Sequence, residues 1–191
     1  MTTGSGATTI NGVVRFDLAS STAQRFGSGI DNSDLTLGWD GHLYTLESSG
    51  GTGFKVREYD PVSLNLMNTI TTTAGSGLRG IAVNSSGDIF AADWSGMLYH
   101  FNSQGALLKS LSVGNSAGDI DLASDGTIIV GITDGGNPIL TDETLSSYHA
   151  LNVGGGASFV AFTEPVPEPG TLGLGVLALL TGVFVFRLRN T

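Results

Sequence analysis

The 191-residue chain has no cysteine, only two lysines (Lys55 and Lys109), and charged side chains at 13% of its positions. The missing cysteine removes disulfides, thiol nucleophiles and cysteine-based zinc sites together, and says nothing about compartment. The shortage of lysine stands against 17 acidic side chains and a formal net charge of −9. That balance excludes nucleic acid as a partner, because neutralising phosphates needs clustered Lys and Arg. It also gives no attraction to anionic lipid, and it favours solubility. The first residues, MTTGSGATTINGVVRFDL, lack both a basic n-region and an apolar h-region, so they do not read as a signal peptide.

Glycine is what the chain has in excess, with 29 residues, about twice the average usage. Together with many Ser, Thr, Asn and β-branched residues, this predicts short strands joined by tight turns rather than long amphipathic helices. The length suits one domain, or one domain and a tail.

The turns repeat. LGWDGHLYTLES, VNSSGDIFAADW and LASDGTIIVGIT place Gly41, Gly87 and Gly126 at intervals of 46 and 39 residues. Each glycine follows Asp or Ser between two apolar stretches, the signature of a hairpin turn that needs positive φ. A second series, Asp17, Asp60, Asn102 and Asp142, recurs at 43, 42 and 40 residues. Each member again sits in a polar turn between two strands. The two series define a unit of four short strands, with complete units at about 31–73, 75–113 and 115–153. In MLYHFNS, Leu98 and His100 face one way and Tyr99 the other. The first strand of the unit, with Ile81, Ala82 and Val83, is small and apolar on both faces, as an innermost strand requires. Residues 11–26 supply the third and fourth strands of an earlier unit, and ASFVAF (157–162) fits a first strand.

The phrase GLRGIAVNSSGDIFAADWSGMLYHFNSQGALLKSL (77–111) resembles the blades of NHL and lactonase-like β-propellers. The resemblance spans about residues 10–163. It implies an all-β fold of four-stranded antiparallel blades; the repeat spacing gives about three complete plus a partial one, and the apolar run beyond them is expected as a single C-terminal hydrophobic helix. Propellers carry about 4–8 blades. The mid-blade start and the missing signal lead to the expectation that upstream blades and a signal peptide precede Met1; an open or four-bladed assembly is the other option.

The body, 1–163, gives way to a proline-rich linker at 164–170, where Pro165, Pro167 and Pro169 remove ladder donors. A segment at 171–191 follows. Its apolar positions are Leu172, Leu174, Val176, Leu177, Leu179, Leu180, Val183, Phe184, Val185 and Phe186, closed by Arg187 and Arg189. As a helix rising about 1.5 Å per residue, 170–186 reaches about 25 Å. That is slightly short of a hydrocarbon core of about 30 Å, a gap that thinning or snorkelling arginines cover. A core helix is disfavoured by Gly173, Gly175 and Gly182. A plain membrane anchor would keep the arginines in the cytoplasm. The order Pro167-Glu168-Pro169, apolar helix, basic end resembles the PEP-CTERM sorting signal of biofilm-forming Gram-negative bacteria, although RLRN is a sparser basic end than that family often has. The resemblance implies Pro167, Glu168 and Pro169 as the sorting motif, Arg187 and Arg189 as stop-transfer residues, and an exosortase-type enzyme as processing partner. It places the protein at the membrane during sorting and then at the cell surface or matrix.

Residues with chemistry are few. His42, His100 and His149 fall on strands at different radii of a unit and are not expected to share a metal. Lactonase-like propellers hold a divalent cation with acidic and amide groups at the channel mouth. By that resemblance Asp34 and Asp119 or Asp121 are candidates, with Arg79 at the comparable place in the middle unit, a poor cation ligand. The alternative is that these acids serve turns and edges. Trp39 and Trp94 are platforms for a sugar ring or packing between blades. No Ser-His-Asp order, phosphate loop or EF-hand pattern is present. The expectation is a non-enzymatic, cofactor-free surface or matrix protein with a polysaccharide or protein ligand. A metal-dependent envelope lactonase or hydrolase and a simple anchored membrane protein are the alternatives.

Overall fold

The computed structural model describes residues 12–27, 32–47, 54–75, 77–114 and 116–163. Regular structure among them is entirely β. A hairpin, β1 (Val13–Asp17) and β2 (Thr22–Phe26), comes first. Three four-stranded antiparallel sheets follow, each a meander in chain order. The first sheet is β3 (Asn32–Leu37), β4 (Leu43–Glu47), β5 (Lys55–Tyr59) and β6 (Leu66–Thr71). The second is β7 (Leu78–Val83), β8 (Ile89–Asp93), β9 (Met97–Phe101) and β10 (Leu107–Ser112). The third is β11 (Ala117–Leu122), β12 (Thr127–Ile132), β13 (Ile139–Asp142) and the two-residue β14 (His149–Ala150). The sheets match the three units expected from the turn spacing.

Turn chemistry sets the meander. Gly41, Gly87 and Gly126 have φ of +87°, +77° and +84°, conformations open to glycine. Their N–H groups close the same three-residue loop, onto Gly38, Asn84 and Ala123 carbonyls. At the same end of each sheet, the turn between the third and fourth strands is held by a side chain. Asp60 Oδ1 accepts from the Val62 and Ser63 N–H groups, Asn102 Oδ1 from Gln104 and Ala106, and Asp142 Oδ1 from Thr144. Asp17 does the same for Ser20 in the leading hairpin. These polar turns free the flanking strands to carry alternating side chains.

The alternation builds a core between each pair of neighbouring sheets. Ile81, Val83, Ile89, Ala91 and Phe101 of the second sheet pack against Tyr44, Leu46 and Val56 of the first. Ala82, Phe90, Ala92 and Leu98 point the other way, onto Leu122, Ile128, Val130 and Ile132 of the third. Tyr99 and Leu98 take opposite faces as the sequence predicts. His100 stacks on Phe90 with ring centroids 4.3 Å apart. The leading hairpin makes a smaller core, with Phe26 edge-on to Tyr59 at 5.0 Å, and Arg15 Nη1 donates to the Val62 carbonyl at 2.7 Å. Trp39, in the β3–β4 turn, spans further. Its backbone N–H reaches the Val83 carbonyl, and its indole Nε1 donates to the Leu122 carbonyl at 2.9 Å.

Two expectations change. The fourth strand of the last unit is reduced to His149–Ala150, because the Thr141 hydroxyl donates to the Ser147 carbonyl and Leu145 turns the chain at φ +46°. Residues 157–162 lie beside β11 but form no ladder, since the described residues supply no second strand to pair with them. Asp119 Oδ2 accepts the Val160 N–H at 2.9 Å, and Asp121 Oδ2 the Phe162 N–H at 2.6 Å. No helix among the described residues is long and apolar enough to cross a membrane. The expected linker and apolar segment, 164–191, lie outside the described residues.

Candidate functional site

The first strands of the three sheets, β3, β7 and β11, run side by side with β7 in the middle. Each carries a register irregularity near its start: Asn32/Asp34, Leu78/Gly80 and Ala117/Ile120. Such bulges re-aim side chains. Here their common end opens into a concavity of about 400 Å³, lined by Ser33, Asp34, Arg79, Trp94, Gly118, Asp119, Thr133, Ser158 and Phe159.

Two carboxylates sit in it, and both have structural work. Asp34 Oδ2 accepts the Ile81 N–H and Oδ1 the Leu35 N–H, each at 2.8 Å. Asp119 pairs the same way, with Val160 through Oδ2 and Ile120 through Oδ1, each at 2.9 Å. Each carboxylate therefore ties its own first strand to the segment in the next position. In the second sheet this place is taken by Gly80. A Cβ there would lie 2.8 Å from the Gly118 carbonyl oxygen and 2.9 Å from the Ile120 nitrogen. At that joint, backbone approaches backbone and no carboxylate intervenes.

Burial pushes the Asp34 carboxyl up to about 6; the two N–H donors oppose this and the nearby Asp119 charge adds to it. Burial likewise raises Asp119, with a smaller contribution from Asp121. On the rim, the Arg79 guanidinium carbon lies 4.1 Å from the centroid of the Trp94 ring. Trp94 remains 48% exposed, so much of its indole is open to a ligand.

The structure brings Asp34, Arg79 and Asp119 into one concavity, but it corrects the expected correspondence: Gly80, not Arg79, is the third residue of its first strand, as Asp34 and Asp119 are of theirs. Asp121 does not line it and is engaged with Phe162. The histidines do not converge. His42 Nδ1 meets Glu58 at 2.7 Å, His100 Nε2 meets Asp88 at 3.4 Å, and His149 is exposed on β14. Among the described residues no three His, Asp or Glu side chains converge to hold a metal ion. The tryptophans separate: Trp39 bridges sheets at the turn end of the first strands, and Trp94 stands at the mouth. Thr133 was legible in retrospect, since it follows Gly126 by seven residues as Trp94 follows Gly87. Ser33 was legible in the same way, since it precedes Gly41 by eight residues as Arg79 precedes Gly87; Ser158 and Phe159 carried no such signal. The sorting residues Pro167, Glu168, Pro169, Arg187 and Arg189 lie outside the described residues.

No family profile matches the chain, and comparison with characterised proteins finds no relative by sequence. Solved structures do share its form. The Dos1 propeller is similar over 78% of this chain and 41% of its own, with a TM-score of 0.58 and 14% identity. A Bacteroides caccae protein of unknown function is similar over 69% and 50%, with a TM-score of 0.57 and 13% identity. Kuenenia stuttgartiensis hydrazine synthase is similar over 67% and 38%, with a TM-score of 0.55 and 15% identity. The chain thus spans half or less of each of these structures. Identities this low speak to fold alone. The body of this chain is an all-β, propeller-type array of four-stranded blades.

Proposed function

We propose that the chain is an exported surface or matrix protein, in which the propeller-type body is a non-enzymatic binding module and the C-terminal segment a PEP-CTERM-like sorting tail. The observation that carries this reading is the order at 167–189: Pro-Glu-Pro, an apolar run, then Arg187 and Arg189. Each part has a physical task. The proline stretch presents backbone to a processing enzyme, the apolar run holds the bilayer, and the arginines stop transfer. A binding role for the body is supported by the mouth concavity. Its two carboxylates already accept backbone N–H groups, which suits a site that holds shape better than one that moves protons.

The test is peptide mapping by mass spectrometry of the protein recovered from the cell surface of a Gram-negative host that carries an exosortase. The expected mature form ends near Pro167–Pro169. A surface form that still carries Arg187 would overturn the sorting step and favour a simple membrane anchor.

A further inference from the structure

We infer that the mouth concavity binds a neutral, hydroxyl-rich carbohydrate, with Trp94 as the stacking platform and Asp34, Asp119 and Arg79 as its hydrogen-bonding groups. This rests on the binding-module part of the proposed function and is independent of the tail.

Charge selects the ligand class. The lining holds two carboxylates and one guanidinium, within a chain of formal net charge −9. An anion would face both carboxylates and the field of the whole chain. A small cation would face Arg79, and each Asp34 and Asp119 oxygen already accepts a backbone N–H. A sugar hydroxyl suits this lining better, because it donates and accepts at once. It can donate to the remaining lone pairs of Asp34 and Asp119 and accept from Arg79. The Ser33 and Thr133 hydroxyls line the same space and can do either.

The apolar part of the lining points the same way. Pyranose rings present C–H faces, and an indole is a flat, amphipathic platform for them. Trp94 is 48% exposed and Phe159 86% exposed, both on this rim. Arg79 lies over the Trp94 ring and so fixes its orientation before a ligand arrives. The volume, about 400 Å³, lies within the usual span of small-molecule sites.

The experiment uses the full chain in a zwitterionic, sugar-free detergent and follows its two indole N–H resonances by NMR. Cellohexaose, laminarihexaose and maltohexaose are the neutral probes; oligogalacturonate and chitosan oligomers are the charged ones. At least one neutral probe should shift the Trp94 resonance and leave Trp39, bonded to the Leu122 carbonyl, in place. Calorimetry should then show binding about tenfold weaker in Trp94→Ala and in Asp119→Asn. No Trp94 shift with any neutral probe would overturn the inference, as would full affinity in Trp94→Ala. A response only to a charged probe would overturn the ligand class and leave the binding-module reading standing. A processed tail with no carbohydrate binding would separate the two proposals in the other direction.

Discussion

Gly80 occupies the place that Asp34 and Asp119 hold in the flanking sheets, and replacing it with alanine tests how closely the first strands approach. The new Cβ would lie 2.8 Å from the Gly118 oxygen, 2.9 Å from the Ile120 nitrogen and 3.0 Å from the Asp119 carbonyl carbon. All three are backbone atoms of β11, so no rotamer change makes room. Gly80 is not among the glycines with positive φ, so its backbone conformation is open to alanine. Two effects therefore oppose each other. Losing glycine's freedom in the unfolded chain stabilises by about 0.4–1 kcal/mol. Overpacking a closed joint costs about 1–3 kcal/mol. The steric effect is the larger, and Gly80→Ala is expected to lose about 1–2 kcal/mol net. The assay is denaturant unfolding followed by tryptophan fluorescence, where the midpoint should fall at an unchanged slope. Gly155 is the control, because nothing lies within 4 Å of its added Cβ. Its alanine variant should be as stable as the parent or gain up to about 1 kcal/mol. A Gly80→Ala protein as stable as the parent would refute the close approach of β7 to β11.

The Asp34 carboxyl is raised from 3.8 to about 6, so the folded state holds its proton longer than the unfolded state does. Its contribution to stability is therefore full below about pH 4 and lost as pH rises through about 6; Asp34→Asn should flatten that decline, and an unchanged pH slope of the unfolding midpoint would contradict it. Phe90 is fully buried between the second and third sheets, so Phe90→Ala should cost about 3–5 kcal/mol in the same assay, far more than Phe90→Leu. Millimolar calcium should leave the melting temperature unchanged, whereas a site saturated at 100 times its dissociation constant would add about 2.7 kcal/mol and argue for the metal-dependent alternative. Combined Pro167→Ala, Glu168→Ala and Pro169→Ala should leave Arg187 attached in the surface-recovered protein, as read by mass spectrometry; removal of Arg187 from that variant would refute the motif's role.

Turn chemistry explains why the repeat was legible. Gly41, Gly87 and Gly126, and the turn residues from Asp17 to Asp142, act within a few residues of themselves, so spacing alone reveals them. The strand faces followed from alternation, as Leu98 and Tyr99 show. What escaped is long-range. Asp34 meets Ile81 at a separation of 47 residues, and Asp119 meets Val160 at 41. Nothing local marks an aspartate that ties neighbouring strands together apart from one that solvates an edge. The same holds for Gly80, whose lack of a side chain matters only because β11 lies against it. Arg79 and Trp94 each had a recognisable place in the unit. Their stacking depends on how two strands of the second sheet end, which composition does not encode. The reduced β14 escaped for a related reason: the Thr141 hydroxyl takes the Ser147 carbonyl, and the ladder is confined to His149–Ala150.

The bond from Trp39 to the Leu122 carbonyl has a geometric consequence. Each core joins only adjacent sheets, so errors in packing angle would accumulate along the row. Trp39 joins the first sheet directly to the third, as a chord joins two points on an arc. A chord of set length fixes the curvature of the three-sheet row. The indole is thus a ruler for the row: Trp39→Phe removes the chord and lets the angle between sheets drift.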